Sequence, residues 1–105
     1  MNEDGTGAVF FALGDSTRRE VISSLAKEGP ATVTELAARL PVTRQAVAKH
    51  LAALDEAGLV SFEQQGRRRR YRLTPGPLTE AVSWMAEVGA EWDERLESLR
   101  KLLQP

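Results

Sequence analysis

The chain has 105 residues, enough for one small domain built around one core. It contains no cysteine, which excludes disulfides, thiolate metal sites and cysteine redox switches, and its 14 Lys/Arg against 15 Asp/Glu exclude a uniformly basic coat protein for nucleic acid. No apolar run is long enough to span a membrane and no signal-peptide pattern is present, so a cytosolic domain is expected.

Residues 1–7 (MNEDGTG) are polar and acidic and read as a loose tail. Residues 8–13 (AVFFAL) are apolar all round, which predicts a buried helical turn broken by Gly14 and Asp15. A second helix follows. Thr17 and Glu20 have capping-box spacing, and Val21, Ile22 and Leu25 form its apolar face. Glu28-Gly29-Pro30 stops it.

The central stretch is 32–58. Thr32 and Glu35 repeat the capping-box spacing, and Val33, Leu36, Ala37 and Leu40 fall on one helical face. Pro41 disfavours helix at Leu40. Thr43 caps a further helix whose apolar face is Val47, Leu51 and Leu54, with Gly58 as the stop. Two short helices joined by a tight turn make a helix-turn-helix. Opposite the apolar face of the second helix lie Gln45, Ala48, Lys49 and Ala52, with Arg44 at its start. Gln pairs with an adenine edge, Lys reaches guanine or phosphate, and Ala admits a thymine methyl. The same stretch is also compatible with an ordinary two-helix corner and a solvated outer face. His50, the only histidine, lies on the flank of the apolar stripe and reads as a packing or phosphate-contact residue rather than a pH switch.

After Gly58 the period changes to about two. Residues 59–63 read as a strand, Gln64-Gln65-Gly66 as the turn, and 67–73 (RRRRYRL) as a second strand. Tyr71 and Leu73 share one face; Arg68, Arg70 and Arg72 share the other. A hairpin directly after a recognition helix is the wing of a winged helix. Arg67, Arg68, Arg69 and Arg70 put four cations at its tip, where guanidinium groups fork onto phosphate or enter a narrow minor groove. The plainer reading is a charged edge strand that blocks sheet-to-sheet association, but one or two charges would satisfy that need. Between Arg39 and Arg72 the formal balance is +5, so the remainder of the chain sums to −6. One basic lobe binds a polyanion locally despite the neutral total.

Thr74-Pro75-Gly76-Pro77 forms a rigid turn before the longest helix, residues 78–103, about 39 Å long. Leu78, Val82, Met85, Gly89, Trp92, Leu96, Leu99 and Leu103 step alternately by four and three, a heptad seam, and Trp84 and Val88 widen it. A domain this small has little core with which to cover such a stripe, so the expectation is self-association, with Gly89 allowing close backbone approach. The fold class expected is mainly α with a small β-hairpin: a tail at 1–7, a winged helix-turn-helix at 8–76 with its wing at 59–73, and a dimerisation helix at 77–105.

These blocks resemble a family. ALGDSTRREVISSL, TVTELAARL, TRQAVAKHLAALDEAGLV and GRRRRYRL occur in order at the separations found in the ArsR/SmtB winged-helix repressors. The resemblance spans residues 10–73 and is carried by Thr43, Arg44, Gln45, Ala46, Val47, Lys49, His50 and Leu51 in the recognition block and by Gly66, Arg67, Tyr71 and Leu73 in the wing. It implies a prokaryotic, cytoplasmic, nucleoid-associated homodimer that represses transcription, often of its own gene, from an inverted-repeat operator in double-stranded DNA. The terminal helices fit the family's dimer interface, to which Phe10 would contribute. The sequence departs from the family's metal sensors: it lacks their cysteines in the first helix of the motif, and its last helix has carboxylates without histidine. No metal, no cofactor and no membrane partner are expected, and the inducer is not identified. A winged-helix adaptor that docks on protein, without operator preference, is the alternative. Catalysis is not expected, because no nucleophile, acid pair or phosphate loop is present.

Overall fold

The computed structural model describes residues 7–103. The elements run α1 (Ala8–Leu13), α2 (Ser16–Glu28), α3 (Val33–Arg39), α4 (Arg44–Glu56), β1 (Val60–Gln65), β2 (Arg68–Leu73) and α5 (Gly76–Leu103). The fold is mainly α with one antiparallel hairpin, as the patterning predicts. The tail expected at 1–7 falls largely on residues 1–6, which lie outside the described residues.

Three helix starts follow from side-chain oxygens. Thr32 and Glu35 form the expected capping box, with both reciprocal hydrogen bonds present. The Thr43 hydroxyl accepts from the Ala46 amide at 3.1 Å. The α2 cap differs from the expectation. Asp15, not Thr17, is the N-cap; its carboxylate accepts from the amides of Thr17 and Arg18 at 2.8 and 3.1 Å. Thr17 already lies inside the helix. Aspartate holds a stronger cap because its charge also meets the positive end of the helix dipole.

The core gathers Val21 and Leu25 of α2, Leu36 of α3, Val47, Leu51 and Leu54 of α4, Leu59 just before the hairpin, and Val60 and Tyr71 within it. Val9 and Ala12 of α1 and Ala81 of α5 close it. Each fully buried Leu or Val contributes about 1.5–3 kcal/mol, against about 0–1 kcal/mol for a surface ion pair, so this cluster holds the fold. α1 is not buried all round: Phe11 is 80% exposed, because a single short helix on the core's edge can turn only one face inward.

The hairpin turn is tighter than expected. Gln65 pairs with Arg68, so the loop is Gly66-Arg67 alone, and Gln64 and Gln65 belong to β1. Gly66 takes φ 63° and Arg67 a negative φ, the pattern of a two-residue turn with glycine first. The sheet gains a further pairing that periodicity did not reveal. Ala31, between α2 and α3, bridges Tyr71, with hydrogen bonds of 2.9 and 2.8 Å in both directions. The base of the wing is therefore fastened to the entry of α3.

α5 begins with Gly76 and Pro77, and the Thr79 amide bonds to Pro75 O at 2.9 Å. Its 28 residues span about 42 Å. Only its first turns meet the domain, which is why the molecule measures 69 Å along its longest axis and 28 Å across the next.

Candidate nucleic-acid interface

Burial of Val47, Leu51 and Leu54 fixes the rotation of α4. Arg44, Gln45, Ala48 and Lys49 then emerge together on the exposed side, with Thr43 exposed at the helix start. α3, through buried Leu36, and the turn after it, through half-buried Leu40 and Val42, hold α4 from behind. This is the juxtaposition the sequence predicts for those five residues. His50 sits differently. It is half-buried and turned toward α2, where its Nδ1 accepts from Arg18 Nε at 3.4 Å. One ring nitrogen is therefore engaged within the chain.

The four wing arginines separate into two kinds. Arg67, at the turn, and Arg68 are exposed and have no partner among the described residues. Arg69 lies over the Phe62 ring, its guanidinium carbon 4.3 Å from the centroid, in a cation–π contact. Phe62 in turn lies 5.5 Å from the Tyr71 ring. Arg70 is half-buried, and its Nη1 lies 3.6 Å from Glu35 Oε1. Sequence alternation alone put Arg68, Arg70 and Arg72 on one face as equals. It could not register Glu35, which reaches Arg70 only because the Ala31–Tyr71 bridge brings α3 alongside β2.

Two carboxylates near this surface are stabilised in their charged form. Glu35 is held below the usual carboxylate range, first by the Thr32 amide, then by the Thr32 hydroxyl, with Arg70 and Arg39 adding smaller effects. Asp15 is lowered chiefly by the Arg18 amide and then by the Thr17 amide, with His50 and Arg18 adding charge. Both carboxylates thus hold helix starts in their charged form, Asp15 at α2 and Glu35 at α3.

The long helix carries the second predicted surface. Val82, Met85, Trp92, Leu96 and Leu99 are 46–58% exposed, although all are large and apolar. Gly89 is exposed, with nothing within 4 Å of the position a Cβ would take. Leu78 differs: it is half-buried against the core of its own chain. Phe10 is half-buried too and meets Trp84 edge-on at 5.5 Å. No helix among the described residues is long and apolar enough to cross a membrane.

Residues 13–61 match the helix-turn-helix domain family. Over 77 residues the chain is 46% identical to an uncharacterized HTH-type transcriptional regulator, YuzN, of Bacillus subtilis strain 168, covering 68% of this chain and 84% of that one. It is 39% identical over 92 residues to the HTH-type transcriptional regulator Rv2034 of Mycobacterium tuberculosis, covering 88% of this chain and 82% of the relative. Among solved structures, the ArsR-like transcriptional regulator from Rhodococcus sp. RHA1 superposes with a TM-score of 0.79 at 40% identity, covering 94% of this chain and 92% of that one. Recognition helix, wing and relatives agree, and the chain belongs to the ArsR family of winged helix-turn-helix transcriptional regulators, DNA-binding proteins rather than enzymes.

Proposed function

We propose that this regulator acts as a homodimeric repressor on an inverted-repeat operator. The observation that carries the reading is the pairing of two surfaces on one small domain. An exposed polar helix face stands beside a cationic wing, and an uncovered apolar stripe runs along α5. Two chains join through that stripe, with α1 contributing at its base. The pairing sets the separation of two α4 helices so that they enter successive major grooves about 34 Å apart. Gln45, Lys49 and Arg44 read base edges, with Thr43 and Ala48 in supporting contact. The wing arginines hold phosphate or the minor groove. A dimer seated across a promoter excludes polymerase, and a site beside its own gene makes the regulation autogenous.

The test is fluorescence anisotropy on a duplex from the region upstream of the protein's own gene, against a shuffled duplex, at about 150 mM salt. Preference for the native duplex by about 10³ or more supports operator recognition. Equal, weak binding to both duplexes removes the autogenous site and favours an operator elsewhere or a protein-docking role. A dimer that neutralises about eight phosphates gives a log–log salt slope near −7.

A further inference from the structure

We infer that Glu35 withholds one of the four wing arginines from DNA and so sets how strongly the wing grips phosphate irrespective of sequence. The inference rests on the DNA-binding role of the wing and not on the existence of any particular operator.

The arrangement follows from three linked contacts. Ala31 and Tyr71 exchange backbone hydrogen bonds at 2.9 and 2.8 Å, which places Thr32 beside Arg70. Thr32 is the N-cap of α3, and the Glu35 side chain must fold back to its amide to complete the capping box, at 2.9 Å. The carboxylate is thereby delivered to the flank of β2, where Oε1 lies 3.6 Å from Arg70 Nη1. Arg70 has a second acid within reach in the ladder, since it stands opposite Glu63, yet its ion pair is with Glu35. The reason is preorganisation. The Glu35 carboxylate already accepts from the Thr32 amide and gives up little rotamer freedom to hold the guanidinium, whereas Glu63 is exposed on a strand.

The consequence is a division of labour. Arg67 and Arg68 are open to phosphate, and Arg69 presents its edge while its face rests on Phe62. Arg70 is already answered by a carboxylate, so it releases no counterion from DNA. Wing contacts raise affinity for every sequence alike, whereas base contacts from α4 raise it for one. Withholding a wing cation therefore weakens the hold on every duplex alike and leaves the ratio between operator and bulk DNA to the base contacts of α4. Glu35 is a positioning residue that acts on DNA through Arg70.

Glu35→Gln isolates this role, because glutamine also satisfies the capping box while carrying no charge. The measurement is the salt dependence of binding to the shuffled duplex for the full chain. Wild type, Glu35→Gln, Arg70→Gln and the double variant are compared, each checked for an unchanged circular dichroism spectrum. The expected result is a slope steeper by about 0.9 per protomer in Glu35→Gln, with tighter binding to the shuffled duplex. Arg70→Gln leaves the wild-type slope unchanged, and the double variant returns to it. An unchanged or shallower slope in Glu35→Gln overturns the inference. So does a loss of about 0.9 per protomer in Arg70→Gln alone, which would mean that Arg70 reaches phosphate in the wild type. A double variant as steep as Glu35→Gln would also overturn it, since Glu35 would then repel DNA directly. Arg68→Ala, expected to make the slope shallower by about 0.9 per protomer, establishes that the assay resolves a single wing cation.

Discussion

Phe10 meets Trp84 edge-to-face, with ring centroids 5.5 Å apart and planes at 63°, and this contact ties the first helix to the last. It sits where α5 leaves the core, one turn beyond buried Ala81. Phe10→Ala removes a half-buried ring and one member of an aromatic pair. It should cost about 2 kcal/mol of stability in urea unfolding, less than a fully buried phenylalanine. Phe11→Ala, on the exposed side of the same helix, should cost much less in the isolated chain.

The α5 stripe gives the second prediction. Leu96→Asp places a charge in the middle of an apolar surface that is exposed in the single chain. Sedimentation should show monomer for the variant where wild type gives dimer, while the circular dichroism of the domain persists. Gly89→Ala is subtler. It improves intrinsic helix propensity by about 1 kcal/mol and meets nothing in its own chain. A shift toward monomer in spite of that gain would place Gly89 at the dimer's close approach.

Base reading separates from backbone holding. Gln45→Ala should cost about 1–3 kcal/mol on the operator and relax preference at one base pair. Arg68→Ala should weaken operator and shuffled duplex alike. A Gln45→Ala variant with unaltered affinity and preference would remove Gln45 from the reading set.

Acid should destabilise the protein through its two capping carboxylates. Both are held below their ordinary values of 3.8 for Asp15 and 4.5 for Glu35, so their contribution is complete above those values. It is lost as pH falls below about 4.5 and through the lower folded-state values. The melting temperature should therefore be flat on this account from neutral pH to about 5.5 and then decline. Asp15→Asn and Glu35→Gln, which keep hydrogen-bond acceptors without the titration, should each flatten the acid limb.

Gly29 is the strictest backbone requirement in the fold. At φ 84° and ψ −172° it occupies a region that is essentially glycine-only, in the turn from α2 to the Ala31 bridge. A Cβ there would meet nothing within 4 Å. Gly29→Ala should thus cost about 1–3 kcal/mol from backbone strain alone, measured by thermal or urea unfolding.

Much of this molecule is legible in the order of its residues. Val47, Leu51 and Leu54 repeat with the helical period, and that repeat fixes which side of α4 carries Gln45 and Lys49. The Thr32–Glu35 box and the α5 seam are read the same way, because periodicity and capping are local. What escaped was set by contacts between distant segments. The Ala31–Tyr71 bridge joins residues forty positions apart, and Ala31 has no strand signature around it. Arg70 and Arg68 are alike as letters and differ only through that bridge. His50 turns toward α2 because Arg18 waits there, a partner 32 positions away. At α2 the misreading was of another sort: two capping oxygens stood close together, and the charged one, Asp15, prevailed over Thr17.

The reach of α5 beyond Ala81 has a consequence for turnover. Residues 82–103 contribute no side chain to the buried core, and most helical stability in proteins comes from tertiary packing of an apolar face, which this segment lacks in the single chain. A copy without a partner leaves this segment free to fray, and frayed backbone is what proteases cut. In the proposed homodimer, paired copies would bury the same segment against each other. On the proposed pairing, unpaired chains would be the first to be cleared, and the cell's supply of the regulator would be trimmed toward the assembled fraction.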